Sequence, residues 1–143
     1  MSFTYNYPRP AVTTDVILFT QKSPMQILLI QRAHEPYQGC WALPGGFVDM
    51  DEDLSIAALR ELAEETGISD VAITQFKTYG SVDRDPRHRT ISVVYQAFVD
   101  QPLKAQAMDD AADARWFSIN NLPQLAFDHQ LIISEAIEAL SSN

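Results

Sequence analysis

Residues 46–68 read Gly46-FVDMDEDLSIAALRELAEET-Gly67-Ile68. A glycine-rich bend, Pro44-Gly45-Gly46, leads into an acidic segment and then a run of Leu, Ala and Glu. That composition predicts a helix over Asp53–Thr66, with acidic residues near its positive end and Gly67 placed for a left-handed C-cap. On a helical wheel starting at Leu54 and advancing about 100° per residue, Leu54, Ala58, Leu62, Leu59, Ala63 and Ile56 span roughly 0° to 200° and predict the core-facing stripe. Arg60, Glu64, Glu61 and Glu65 fill roughly 240° to 380°, so three carboxylates leave adjacent turns together.

Like charges on neighbouring turns cost a few tenths of a kcal/mol each, and Arg60 is the one local cation. A solvated acidic face would explain an arbitrary Glu-rich helix. Here the glycine bend, which allows close backbone approach, favours a bound Mg²⁺ or Mn²⁺ held by Glu61, Glu64 and Glu65. The Gly45-Gly46 bend is also placed to present a backbone carbonyl to the same site.

Outward from this segment, Thr13–Thr20 and Gln26–Arg32 are β-branched and aliphatic runs parted by Gln21-Lys22-Ser23-Pro24, which predicts a hairpin. Val71–Val82 and Arg89–Asp100 predict two more strands around the charged loop Asp83–His88, and Ala114–Ile119 a short one. Asp128–Leu140 predicts a helix with Leu131, Ile132, Glu135, Ala136 and Leu140 in its pattern. Residues 1–12, aromatic and proline-rich, read as an extended segment. No linker or repeat interrupts the 143 residues, so one domain of α/β class with a mixed sheet is expected, its strand order left open.

With 46% hydrophobic and 20% charged residues the composition is that of a globular protein. The net charge of −9 opposes nucleic-acid binding and, without a bridging cation, phosphate binding as well. Cys40 is the lone cysteine and reads as a packing residue. The absence of an intrachain disulfide, of a leader-like N-terminus and of a membrane-length apolar run places the expectation in the cytoplasm, off the membrane.

Gly46, five residues, Glu52, seven residues, then Arg60-Glu61-Leu62-Ala63-Glu64-Glu65-Thr66-Gly67-Ile68 resembles the Nudix box of Nudix hydrolases at every defining position. The strands before it and Ala114-Arg115-Trp116-Phe117 extend the resemblance over most of the chain. It implies an α/β/α sandwich with a mixed β-sheet, divalent metal on Glu61, Glu64, Glu65 and the Gly45 carbonyl, and a helix oriented by Arg60 and Glu52. The implied reaction is metal-assisted in-line attack of water on a diphosphate. The general base in this family comes from the box helix or from a later loop, so Glu61 is the first candidate and Asp110 the second.

Tyr7-Pro8-Arg9-Pro10, Leu29-Ile30-Gln31-Arg32, Ser81–Arg87 and Phe127-Asp128-His129 resemble the ADP-ribose pyrophosphatase branch. The resemblance implies cleavage of ADP-ribose to AMP and ribose 5-phosphate, with Arg32 and Arg84 on phosphate or ribose oxygens and Tyr5 against adenine. A sheet-edge salt bridge for Arg32 and solvated loop charges for Arg84 and Arg87 are the plain alternatives. Trp41 and Trp116 read as packing, and His34, His88 and His129, which share no metal-ligand spacing, as surface or capping residues. A nucleoside triphosphate or dihydroneopterin triphosphate is the alternative substrate. The alternative of another class is a non-catalytic ADP-ribose or nucleotide sensor, since the branch also resembles the ligand-binding half of Nudix-related repressors. The intact box, and the expectation of no DNA-binding module after Leu140, speak against it. The partner expected is a small-molecule nucleotide, and the aromatic N-terminus together with the resemblance suggests a homodimer.

Overall fold

Strand β1, Ala11–Thr20, is buried from Thr13 onward, and the sheet is built outward from it. The computed structural model describes residues 2–142. β1 runs parallel to β6, Thr90–Val99, along its whole length, from Ala11 opposite Thr90 to Thr20 opposite Val99. A strand covered on both faces can be apolar without alternation. Accordingly Ile17 and Phe19 point to one side, packing with Ile132, Ile133 and Ala136 of helix α2, His129–Ser141. Val16 and Leu18 point to the other, packing with Ala58 and Leu62 of helix α1, Leu54–Thr66. Two helices on opposite faces of one mixed sheet make the α/β/α sandwich.

β5, Thr74–Tyr79, pairs antiparallel with β6 at one side, and β7, Ala111–Ser118, pairs antiparallel with β2, Gln26–Arg32, at the other. β1 and β2 pair at Phe19 and Ile27 near their hairpin. Further along they take different partners. Ile30 and Gln31 pair with β3, Trp41–Ala42, whereas Thr13–Asp15 pair with β4, Gly45–Phe47. Residues 41–47 therefore cross from β2 to β1 where the two strands part.

The amides of Trp41, Leu43 and Gly45 along that crossing each find a partner, as buried backbone requires. Trp41 N donates to the Gln124 carbonyl at 2.9 Å, Leu43 N to His129 Nδ1 at 3.0 Å and Gly45 N to Glu65 Oε1 at 2.8 Å, while the Pro44 carbonyl accepts from Val16 N at 2.9 Å. One side chain from each helix thus holds the segment.

α1 has the expected extent, with Asp53 at its N-cap and Gly67 at φ 76° donating to the Ala63 carbonyl, although the Asp53 side chain caps nothing. Its buried face is not the expected one. Ala57, Ala58, Leu62 and Thr66 are buried, whereas Ile56 is 56% exposed and Leu54 36%. On the same wheel the buried arc runs from roughly 300° to 120°, turned toward Glu61 and Glu65. The cause is contact with β1 and β4, which small residues on that side allow. α2 differs similarly, with His129 and Ile133 buried and Leu131 52% exposed. β5 is shorter than Val71–Val82, and β7 begins at Ala111 because Ala111 still pairs with Arg32. Residues 2–10 carry no strand and are exposed, as expected of an extended segment, which gives way to β1 at Ala11; its first residue, Met1, lies outside the described residues. Among the described residues no helix is long and apolar enough to cross a membrane.

The rotated face is testable by chemical denaturation. Leu62→Ala should cost about 2–5 kcal/mol, whereas Ile56→Ala should stay within about 0.5 kcal/mol. Comparable losses at both positions would restore the original wheel.

Candidate active site

Where β1 and β2 part, the structure opens a cavity of about 460 Å³. Glu61, Glu64 and Glu65 form one wall, and Arg32, Arg87 and Phe127 line another part.

The acidic wall is organised by Arg60 and by two glycines. Arg60 donates through Nε to Glu52 at 2.5 Å, through Nη2 to Glu52 at 2.8 Å and to the Phe47 carbonyl at 3.2 Å, and through Nη1 to Glu61 at 2.8 Å and Glu64 at 3.1 Å. The Glu52 carboxyl is held down to about 2, first by its hydrogen bond from Arg60. Neither Gly45 nor Gly46 has positive φ among the described residues, so a tight turn does not require them. Close approach does. A Cβ on Gly46 would lie 2.5 Å from Glu61 Cδ, and one on Gly45 would collide with the Thr14 carbonyl oxygen and the Asp15 carboxylate.

Burial pushes the Glu65 carboxyl up to about 8. The Gly45 N–H opposes the shift, while Glu61, Asp15 and Asp109 reinforce it. Glu61 is also raised, first by burial, with Arg60 pulling the other way and Glu64 and Asp109 adding to the rise. Uncompensated carboxyls of this kind suit a hard divalent cation, which prefers oxygen donors. Among the described residues no three His, Cys, Asp or Glu side chains converge closely enough to hold an ion as they stand. Glu61 and Glu64 are turned to Arg60 and Glu65 to Gly45 N, so an ion would have to draw them away from those partners.

The loop before β7 is tied to the end of α1, where Gln106 N and Met108 N donate to the Thr66 and Glu65 carbonyls at 3.0 and 3.1 Å. This brings Asp110 to the cavity together with Asp109, which sits at φ 55°. Arg32 also lines the cavity, donating to the Pro36 carbonyl at 2.7 Å with its guanidinium 4.9 Å from the Phe127 ring centre. Arg84 reaches the cavity too, but its Nε and Nη2 grip Asp128 at 2.9 and 2.7 Å. Tyr5 stands outside it, its hydroxyl 3.6 Å from Met50 Sδ and its ring under Arg9 at 4.0 Å.

Trp41 packs edge-on against Phe117 at 4.8 Å, and Trp116 donates to the Leu103 carbonyl at 2.8 Å. Sequence reasoning named none of Asp15, Phe127 and Arg87 as a site residue, Arg87 reading as a solvated loop charge, and it read His129 as a surface or capping residue. His129 is in fact only 4% exposed and accepts from Leu43 N. Asp15 had a visible signal, being the one charged residue in the otherwise uncharged AVTTDVILFT of β1, since a charge inside a doubly covered strand demands a partner or a ligand. His129 and Arg87 had no signal beyond lying in two of the segments that resemble the ADP-ribose pyrophosphatase branch.

A model of the NUDIX domain matches residues 9–139. The chain belongs to this family and is a Nudix hydrolase. It is 45% identical over 130 residues to the ADP-ribose pyrophosphatase of Methanocaldococcus jannaschii, covering 90% of this chain and 74% of that protein. It is 34% identical over 142 residues to the ADPR responsive transcriptional repressor NtrR of Acinetobacter baylyi, covering 96% of this chain but 57% of the repressor. The solved NUDIX domain of Shewanella oneidensis NrtR complexed with ADP ribose superposes at TM-score 0.87 and 35% identity, covering 94% of this chain and 90% of that one.

Glu65 makes a prediction about metal and pH. Its carboxyl holds a proton up to about 8 in the fold, against an ordinary value of 4.5. Between those values folding takes up a proton, so metal-free stability falls as pH rises through the window. A divalent cation replaces that proton. The rise in Tm on adding Mg²⁺ should therefore be larger at about pH 8 than at about pH 6, and equal rises in calorimetry would contradict the assignment.

Proposed function

We propose that this chain is a divalent-metal-dependent pyrophosphohydrolase that cleaves ADP-ribose to AMP and ribose 5-phosphate. The observation that carries the proposal is one cavity with a carboxylate wall, Glu61, Glu64 and Glu65, and the arginines Arg32, Arg84 and Arg87 on its lining, Arg87 being held through Nε and Nη2 by Asp85 at 3.0 and 2.8 Å. Carboxylates alone would repel a diphosphate, and arginines alone would bind it without cleaving it. The names of the relatives, one an ADP-ribose pyrophosphatase, one an ADPR responsive repressor and one a domain complexed with ADP ribose, support the choice of ligand.

Glu61, Glu64, Glu65 and the Gly45 carbonyl are assigned to Mg²⁺, with Mn²⁺ the alternative. When bound, the ion offsets negative charge developing on the diphosphate and favours attack by water. Arg60 and Glu52 hold the acidic face of α1 in place. Arg32 takes a phosphate oxygen through guanidinium donors not engaged by Pro36. Glu61, half-buried with its carboxyl raised, is the preferred base, and Asp110 on the pinned loop is the second candidate. With Nε and Nη2 of Arg84 on Asp128, as those of Arg87 are on Asp85, the place of these two arginines in the proposal is to hold the cavity wall and add positive charge to it. The proposed assembly is a homodimer, and Tyr5, 39% exposed and outside the cavity of its own chain, is assigned to adenine contact within it. Cytoplasmic location completes the reading.

Incubation with ADP-ribose and Mg²⁺ should release AMP and ribose 5-phosphate in equal amounts, whereas a triphosphate preference would show as pyrophosphate. Glu64→Gln should lower kcat roughly a hundredfold or more. Wild-type turnover by that variant would refute the metal-site assignment. Tight ADP-ribose binding with no turnover at any divalent ion would favour the sensor reading that the repressor relatives support.

A further inference from the structure

Two buried polar side chains on this cavity take no part in the proposed hydrolysis. Asp15 is 7% exposed and His129 4%, and both line the cavity. They flank the crossing segment, since Asp15 is in register with Gly45 and His129 Nδ1 accepts from Leu43 N.

That hydrogen bond determines the state of the imidazole. Nδ1 is an acceptor, so the proton of the neutral ring is on Nε2, and burial disfavours the charged ring. His129 Nε2 has no hydrogen-bond partner among the described residues. Asp15 uses Oδ2 to accept from the Ser92 hydroxyl, and its Oδ1 is likewise without a donor among those residues. The one side-chain polar atom that is both sealed from solvent and unpartnered there is Thr14 Oγ1. The unused atoms of Asp15 and His129 therefore open onto the cavity, one purely an acceptor and the other purely a donor.

A carboxylate oxygen disfavours phosphate at this point, and a neutral N–H disfavours a cation. The matching ligand group is uncharged, with a hydrogen to give and a lone pair to offer. We propose that Asp15 and His129 together recognise a substrate hydroxyl or the donor–acceptor edge of its base, and so set specificity for the part of the ligand beyond its phosphates. Buried polar partners left unpaired by an analogue are what make such discrimination strong. This inference rests on the ADP-ribose reading.

The test uses calorimetric binding of AMP and of ribose 5-phosphate, separately, with Mg²⁺ present. His129→Asn keeps an acceptor near Leu43 N and removes the Nε2 donor, and His129→Gln keeps a donor at the Nε2 position and removes the Leu43 contact. Asp15→Asn removes the charge with little change of shape. His129→Asn and Asp15→Asn should weaken the same one of the two products by roughly tenfold, leaving the other within about twofold. His129→Gln should lower Tm yet bind that product within about threefold of wild type. Selective loss of ribose 5-phosphate identifies a terminal-sugar hydroxyl, and selective loss of AMP identifies the nucleoside. If both affinities are unchanged, or both fall equally alongside Tm, the pair is structural and the inference is overturned. If the wild-type protein neither binds a product nor hydrolyses ADP-ribose, the ADP-ribose reading fails first.

Discussion

The crossing of residues 41–47 from β2 to β1 is the constraint on which the rest of this structure depends. Strands that part leave backbone groups without sheet partners, and buried amides without partners are costly. Here Glu65 from α1 takes the Gly45 amide and His129 from α2 takes the Leu43 amide. The same two contacts tie each helix to the sheet at the place where the cavity opens. Sheet divergence, helix placement and site location are one arrangement.

Electrostatics at the site follow from that arrangement. Glu65 must approach Gly45 closely enough to accept its N–H, which buries the carboxyl and raises it. Gly46 has no side chain, so Glu61 can occupy the space a Cβ would fill. Arg60 stands at the centre of the remaining charge, holding Glu52, Glu61 and Glu64 in one network. A single arginine against this many carboxylates leaves an acidic wall suited to a divalent ion. The aromatic and cationic side of the cavity is assembled from distant segments, with Arg87 5.3 Å and Arg32 4.9 Å from the centre of the Phe127 ring.

Much of the fold was legible because its signals are local. The hairpin turn at residues 21–24, the helix ended by Gly67 and the spacing of Arg60, Glu61, Glu64 and Glu65 each depend on neighbours within a few residues. The expected wheel put Ile56 in the core because hydrophobicity was its only guide. The side of α1 that is buried was decided by its contact with β1 and β4, which leaves Ala57 and Ala58 fully buried. The two glycines read as a bend that allows close backbone approach; no positive φ is needed at either, and close approach to carboxylates is what requires them.

The sequence by itself determined the clustering of Glu61, Glu64 and Glu65, because they share one helix whose geometry is set by its own backbone. It also determined the hairpin of Thr13–Thr20 with Gln26–Arg32, because the turn residues between them are local. Only the tertiary structure decided that Asp15 and His129 flank the same short segment, that Arg32 and Arg87 meet at Phe127, and that Arg84 is held by Asp128. Those pairings join residues far apart in the chain. Their proximity arises from strand order and the parting of β1 from β2, which no local pattern encodes.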